Sequence, residues 1–103
     1  MADPTPLEPA PESLAGGRRV FLKREDAHEL GAFKWRGALP ALERYRALAS
    51  ETVVTASTGN HGAAAAWAAR RLGMHAIVYV PLGASGPINP YENIPVIVVS
   101  GWR

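Results

Sequence analysis

The sequence predicts an α/β fold, a partial three-layer sandwich with a short parallel sheet, and three observations predict it. Thr52–Ala56 gathers β-branched residues into a short apolar run that reads as a buried strand. Ala63–Leu72 is rich in alanine, closes on Arg70 and Arg71 and stops at Gly73, which describes a helix with cations at its negative end and a glycine at its C-cap. His75–Val80 is a second β-branched run, ended by Pro81. Strand, turn, helix and strand in so short a stretch make one βαβ unit, whose two strands run parallel. The turn Ser57-Thr58-Gly59-Asn60-His61-Gly62 therefore lies at the carboxyl end of a strand and the amino end of a helix. Free backbone N–H groups and the helix dipole favour an anion there. The plainer reading is an ordinary strand-to-helix loop in which Ser57 caps the helix or its own first turn.

The remaining elements follow in chain order. Residues 1–17 carry Pro4, Pro6, Pro9 and Pro11, then Gly16 and Gly17, with few apolar anchors, and read as a mobile arm. Arg19–Lys23 mixes charged and apolar residues in the manner of a strand with one wet face, and Arg24, Glu25 and Asp26 end it in a polar turn. Gly31–Ala49 has Phe33, Ala38, Leu42, Tyr45 and Leu48 at helical steps. Pro40 interrupts that pattern, because an interior proline removes a hydrogen bond and clashes with the preceding turn. A kinked helix is expected, the alternative being two short helices that meet near Leu39. Past Pro81, residues 83–103 form a divergent tail in which Pro87, Pro90 and Pro95 forbid a regular helix. Pro95–Ser100 is the one plausible strand, with Trp102 to cover its end. A parallel sheet normally has helices on both faces, and residues 18–82 contain too few to supply them. The sequence reads as incomplete.

Composition narrows the function classes. At 103 residues the chain is one small domain or part of a larger one. A formal charge of +2 with scattered basic residues does not argue for nucleic acid. With no cysteine there is no disulfide framework, thiolate metal site or thiol nucleophile. No apolar run is long enough to span a bilayer, and the acidic, proline-bearing start does not read as a signal peptide. A cytoplasmic protein with neither nucleic-acid nor membrane partners is the expectation.

Lys34 stands out within Gly31-Ala32-Phe33-Lys34-Trp35-Arg36-Gly37-Ala38. A helix start disfavours a cation, and a lysine nucleophile works as the neutral amine. Taken alone, Lys34 reads as a solvated surface lysine, and His61 could likewise be a satisfied loop histidine. His28 and His75 read as structural.

Three stretches change that balance: Phe21-Leu22-Lys23-Arg24-Glu25-Asp26, the Lys34 segment, and Ser57-Thr58-Gly59-Asn60-His61-Gly62. Together, and in this order, they resemble the fold-type II pyridoxal-phosphate enzymes of the threonine dehydratase and serine racemase branch, with diaminopropionate ammonia-lyase as a relative. The resemblance covers about Val20 to Pro81. It implies pyridoxal phosphate as cofactor, with Lys34 as the lysine that binds it covalently and moves the Cα proton, and Phe33 beside it. Asn60 would hydrogen-bond the cofactor's ring hydroxyl, and the Ser57, Thr58, Gly59, Asn60 and His61 loop would hold the substrate carboxylate. Thr58 falls where the racemase branch carries a serine able to act on the opposite face of the substrate.

The chain also departs from that family. Ala32 replaces a serine, and the glycine-rich phosphate loop and the later Ser, Thr or Cys facing the pyridine nitrogen are not found after Pro81. Gly83-Ala84-Ser85-Gly86 is too short and wrongly placed to be that loop. The implied activity is elimination of water and ammonia from a small hydroxy-amino acid such as threonine or serine. Threonine synthase-like replacement and racemisation are the enzymatic alternatives, and a non-catalytic anion-binding or interaction module is the alternative of another class. A homo-oligomer or a complementing chain would be the partner.

Overall fold

The computed structural model describes residues 4–82 and 96–99, which fall in two compact units, residues 1–33 and 34–103. In the first, strand β1 (Leu7–Pro9) pairs antiparallel with β2 (Phe21–Lys23), in the register Leu7 to Lys23 and Pro9 to Phe21. A one-turn helix, α1 (Glu12–Ala15), joins them and ends on Gly16, whose positive φ of 60° suits glycine. The pairing is flanked by two more backbone bonds of 2.8 Å, from the Ala10 N–H to the Val20 carbonyl and from the Arg24 N–H to the Pro6 carbonyl.

The mobile arm expected over 1–17 is therefore corrected over its described residues, 4–17, which hold a paired strand and a helical turn. Its prolines sit where a two-stranded ribbon tolerates them, Pro9 on a strand with no neighbour beyond it among the described residues. Thr5 and Ala15 are buried, and the Thr5 hydroxyl donates to Glu25 while its carbonyl accepts from Lys23. The Arg24-Glu25-Asp26 turn is present, with a 3₁₀ turn over Glu25–Ala27. Arg24 reaches Glu8 at 2.6 Å and grips both carboxylate oxygens of Asp26 at 2.8 and 2.6 Å. That grip holds the Asp26 carboxyl below its usual range, chiefly through the hydrogen bonds. Its contribution is thus present at neutral pH and fades as pH falls through the lowered value, and solvent keeps it small.

The second unit is the α/β part. Helix α2 (Trp35–Ala47) precedes β3 (Thr52–Ala56), α3 (Asn60–Arg71), β4 (His75–Pro81) and β5 (Val96–Val99). The sheet is parallel throughout, in the order β3-β4-β5, with Val53 beside Ala76, Thr55 beside Val78 and Tyr79 beside Ile97. The βαβ unit is thus present as expected, and the third strand occupies the core of the expected Pro95–Ser100. The rest of the tail, including Trp102, lies outside the described residues.

Two helix boundaries differ from expectation. Helix α2 starts at Trp35 rather than Gly31, because Gly31 takes a positive φ of 63° that breaks a helix. It then runs unbroken through Pro40, so the two-helix alternative is not observed. Helix α3 starts at Asn60, one turn earlier than expected.

The core follows from the pattern of β4, where Ala76, Val78 and Val80 are buried and Ile77 and Tyr79 half-buried. Helix α3 lies on the buried face with its alanines, of which Ala64, Ala68 and Ala69 are inaccessible to solvent. Small residues let α2 and α3 approach closely, and two large ones fill the seam. Trp35 and Trp67 meet edge to face, with ring centroids 5.7 Å apart and planes at 65°. Both are buried, and guanidinium groups cover them, Arg36 over Trp35 at 4.4 Å and Arg71 over Trp67 at 5.5 Å. In β3, Val54 is 61% exposed. Among the described residues no helix is long and apolar enough to cross a membrane.

Two outcomes are expected. Deleting residues 4–11 removes the acceptor of the Arg24 N–H, so hydrogen exchange at that amide accelerates; unchanged exchange would show that the ribbon does not form in solution. Replacing Trp67 with Ala should cost about 3–5 kcal/mol in denaturant unfolding, the usual range for a buried tryptophan.

Candidate functional site

Lys34 is the N-cap residue of α2, in helical conformation, and Asn60 and His61 open α3. The two helices run in the same direction. At their ends Arg46 of α2 donates to the Leu72 carbonyl past α3 at 3.1 Å, and at their starts Lys34 and His61 line one cavity. That cavity, about 350 Å³, lies between α2, β3 and α3. It is at the small end of the ~300–1,000 Å³ typical of ligand pockets. Its walls are largely apolar, with Ala41, Leu42, Val53 and Ala65 among them.

The turn is built by the strand before it and the helix after it. The Ser57 N–H donates to the Tyr79 carbonyl at 3.1 Å, which extends the β3–β4 ladder by one residue. The chain then turns through Thr58 and Gly59, and the Gly59 carbonyl accepts the first helical bond, from Ala63 at 3.2 Å. The N–H groups of Asn60, His61 and Gly62 belong to the first helical turn, where no preceding carbonyl of the helix can accept them. No side chain caps α3. Ser57 instead closes its own turn, its Oγ accepting the Gly59 N–H at 3.1 Å. Of the two capping possibilities left open by the sequence, the second is the one present.

The expected residues therefore separate into groups. Lys34 and His61 share the cavity. Ser57, Thr58, Gly59 and Asn60 are not among its walls and form the adjoining turn, with Thr58, Gly59 and Asn60 exposed. Phe33 is 57% exposed and belongs to the first unit. His28 is engaged locally, its Nδ1 accepting the Leu30 N–H at 3.1 Å, in keeping with a structural role. Sequence reading missed the Trp35–Trp67 pair, for which the available signal was a single large side chain in an otherwise alanine-rich helix. It also missed Gly62, the one described glycine at which a Cβ would meet neighbouring atoms within 4 Å.

Comparison with known proteins reaches further along the chain than the three motifs do. Threonine synthase of Synechocystis is 42% identical over 82 residues, 77% of this chain and 22% of the relative. Biosynthetic L-threonine dehydratase of Mycobacterium tuberculosis is 44% identical over 86 residues, 79% of this chain and 19% of the relative. The chain thus spans about a fifth of the length of these relatives. Among solved structures, maize serine racemase superposes with a TM-score of 0.81 at 30% identity, over 97% of this chain and 32% of that one. The family described as pyridoxal-phosphate dependent enzyme matches residues 2–96, so the first ribbon and the segment up to β5 fall within the likeness as well as Val20–Pro81. The chain belongs to the pyridoxal-phosphate-dependent enzyme family.

Proposed function

We propose that this chain carries the lysine-bearing and carboxylate-binding part of a pyridoxal-phosphate-dependent ammonia-lyase or dehydratase site for a small hydroxy-amino acid such as threonine or serine. One observation carries the reading: the starts of α2 and α3 lie at the same end of the unit, one bearing Lys34 and the other the Ser57–Asn60 turn. The kinship with threonine dehydratase and serine racemase supports the substrate class.

The donors present fit part of the cofactor and of the substrate. Lys34 lines a cavity of suitable size and is the amine that would hold the cofactor covalently. Asn60 is exposed at the helix start, its amide able to donate to the cofactor's ring hydroxyl. The N–H groups of Asn60 and His61, with the Ser57 and Thr58 hydroxyls, supply donors for the substrate carboxylate. Bound there, pyridoxal phosphate supplies an electron sink for the carbanion at Cα. The tasks left to the chain are to clamp the carboxylate and to carry the Cα proton on the Lys34 Nζ. The Gly59 N–H is already accepted by Ser57 Oγ, so a carboxylate has to compete for it. The Ser57 O–H can donate while its oxygen accepts.

Two measurements test this reading. Borohydride reduction after incubation with pyridoxal phosphate, followed by peptide mapping, is expected to label Lys34 in preference to Lys23. Equal labelling of both lysines would remove the special role of Lys34. Asn60→Ala is expected to weaken cofactor binding more than it weakens L-serine binding, because the side-chain amide faces one and the backbone amides the other. Equal losses would argue against that division.

A further inference from the structure

Gly62 is buried in the first turn of α3, and its backbone is not in the left-handed region. Conformational freedom is therefore not what requires glycine here. A Cβ at this position would lie 3.2 Å from Ser57 Cβ, 3.2 Å from Val78 Cγ1 and 3.4 Å from the Ser57 carbonyl oxygen. Distances of that kind require the neighbours to give way by a few tenths of an ångström. Neither neighbour is well placed to do so. Val78 is 2% exposed at the middle of the central strand, between Thr55 of β3 and Val96 of β5. Ser57 is tied to the ladder by its N–H on the Tyr79 carbonyl and to its own turn by its Oγ on the Gly59 N–H. The element free to move is the start of α3, which carries Asn60 and His61.

We infer that Gly62 is a positioning residue for the Ser57–Asn60 turn. The missing side chain lets the first turn of α3 seat directly on Val78 and Ser57. That seating sets where the Ser57 hydroxyl, the Gly59 N–H and Asn60 stand. A side chain at 62 lifts the helix start off β4 and strains the Ser57–Gly59 bond, without touching any ligand. What the turn binds rests on the function proposed above; how it is held is read from the packing alone.

The test uses the full 103-residue chain, isotope-labelled, as Gly62→Ala, Val78→Ala and the double variant. Amide resonances of Ser57 and Gly59 are recorded without ligand, and L-serine is then titrated. Gly62→Ala is expected to shift both resonances and to weaken L-serine binding about tenfold, short of the ~10²-fold that a 1 Å misplacement can cost. The double variant should recover most of both, because removing Cγ1 of Val78 lets the helix start settle towards β4. Val78→Ala by itself empties buried volume, so a recovery of binding in the double variant is not what a merely destabilising change would give. Unmoved resonances in Gly62→Ala, or a double variant no better than Gly62→Ala, overturns the inference. If Gly62→Ala does not fold, a folded double variant with native Ser57 and Gly59 resonances supports it, and an unfolded one overturns it. If L-serine fails to bind the unaltered chain, the proposed function falls while the ligand-free resonances still decide the role of Gly62.

Discussion

The contact on which the second unit depends is the edge-to-face meeting of Trp35 and Trp67. Helix α3 is made almost wholly of alanine where it faces its neighbours, and alanines by themselves give a helix little to grip. Two buried indoles in the seam give large side chains for the alanines to pack beside, and their rings meet edge to face at 65°. Trp35 directly follows Lys34 in the chain, so the packing that anchors the helix also anchors the amine. A change deep in the seam therefore reaches the site through one peptide bond.

The site itself rests on a parallel ladder that continues one residue past the end of its strand. The bond from the Ser57 N–H to the Tyr79 carbonyl carries β3 into the turn. The chain then has only Thr58 and Gly59 in which to reverse before α3 begins. A turn so short is held at both ends by regular structure, and the helix that follows it has no side-chain cap on its first amides. Gly62 adds a third constraint from below. The result is a small set of donors fixed by packing, the condition under which hydrogen-bond donors act on charge without first reorganising.

Much of this was legible in the sequence, and what was not has a common cause. Thr52–Ala56 and the run from His75 are found as strands because β-branched residues mark them locally, and Pro81 closes the second. The turn is legible because the strand and the helix on either side of it are. Lys34 stands out through its neighbours, although α2 begins four residues later than its apolar pattern implies, since a positive φ at Gly31 leaves no trace in periodicity. The ribbon of β1 and β2 is hidden for a different reason. Its paired residues, from Pro9 with Phe21 to Leu7 with Lys23, are distant along the chain, and a proline-rich stretch gains its order from a pairing that local reading does not see. The Trp35–Trp67 contact and the fit of Gly62 on Val78 are likewise non-local, one between two helices and one between a helix and a strand.

The parallel course of α2 and α3 has an electrostatic consequence. Parallel neighbouring helices set like poles side by side, which is unfavourable unless something offsets it. At the carboxyl ends something does: Arg44 and Arg46 stand in the last turn of α2, Arg70 and Arg71 in that of α3, and Arg46 bridges to the Leu72 carbonyl. At the amino ends nothing corresponds, since neither helix carries an acidic residue in its first turn. Four guanidinium groups thus offset one pole of the pair, and the first turns of the two helices hold no carboxylate to offset the other. The positive pole of the helix pair is thus the end that bears Lys34, Asn60 and His61.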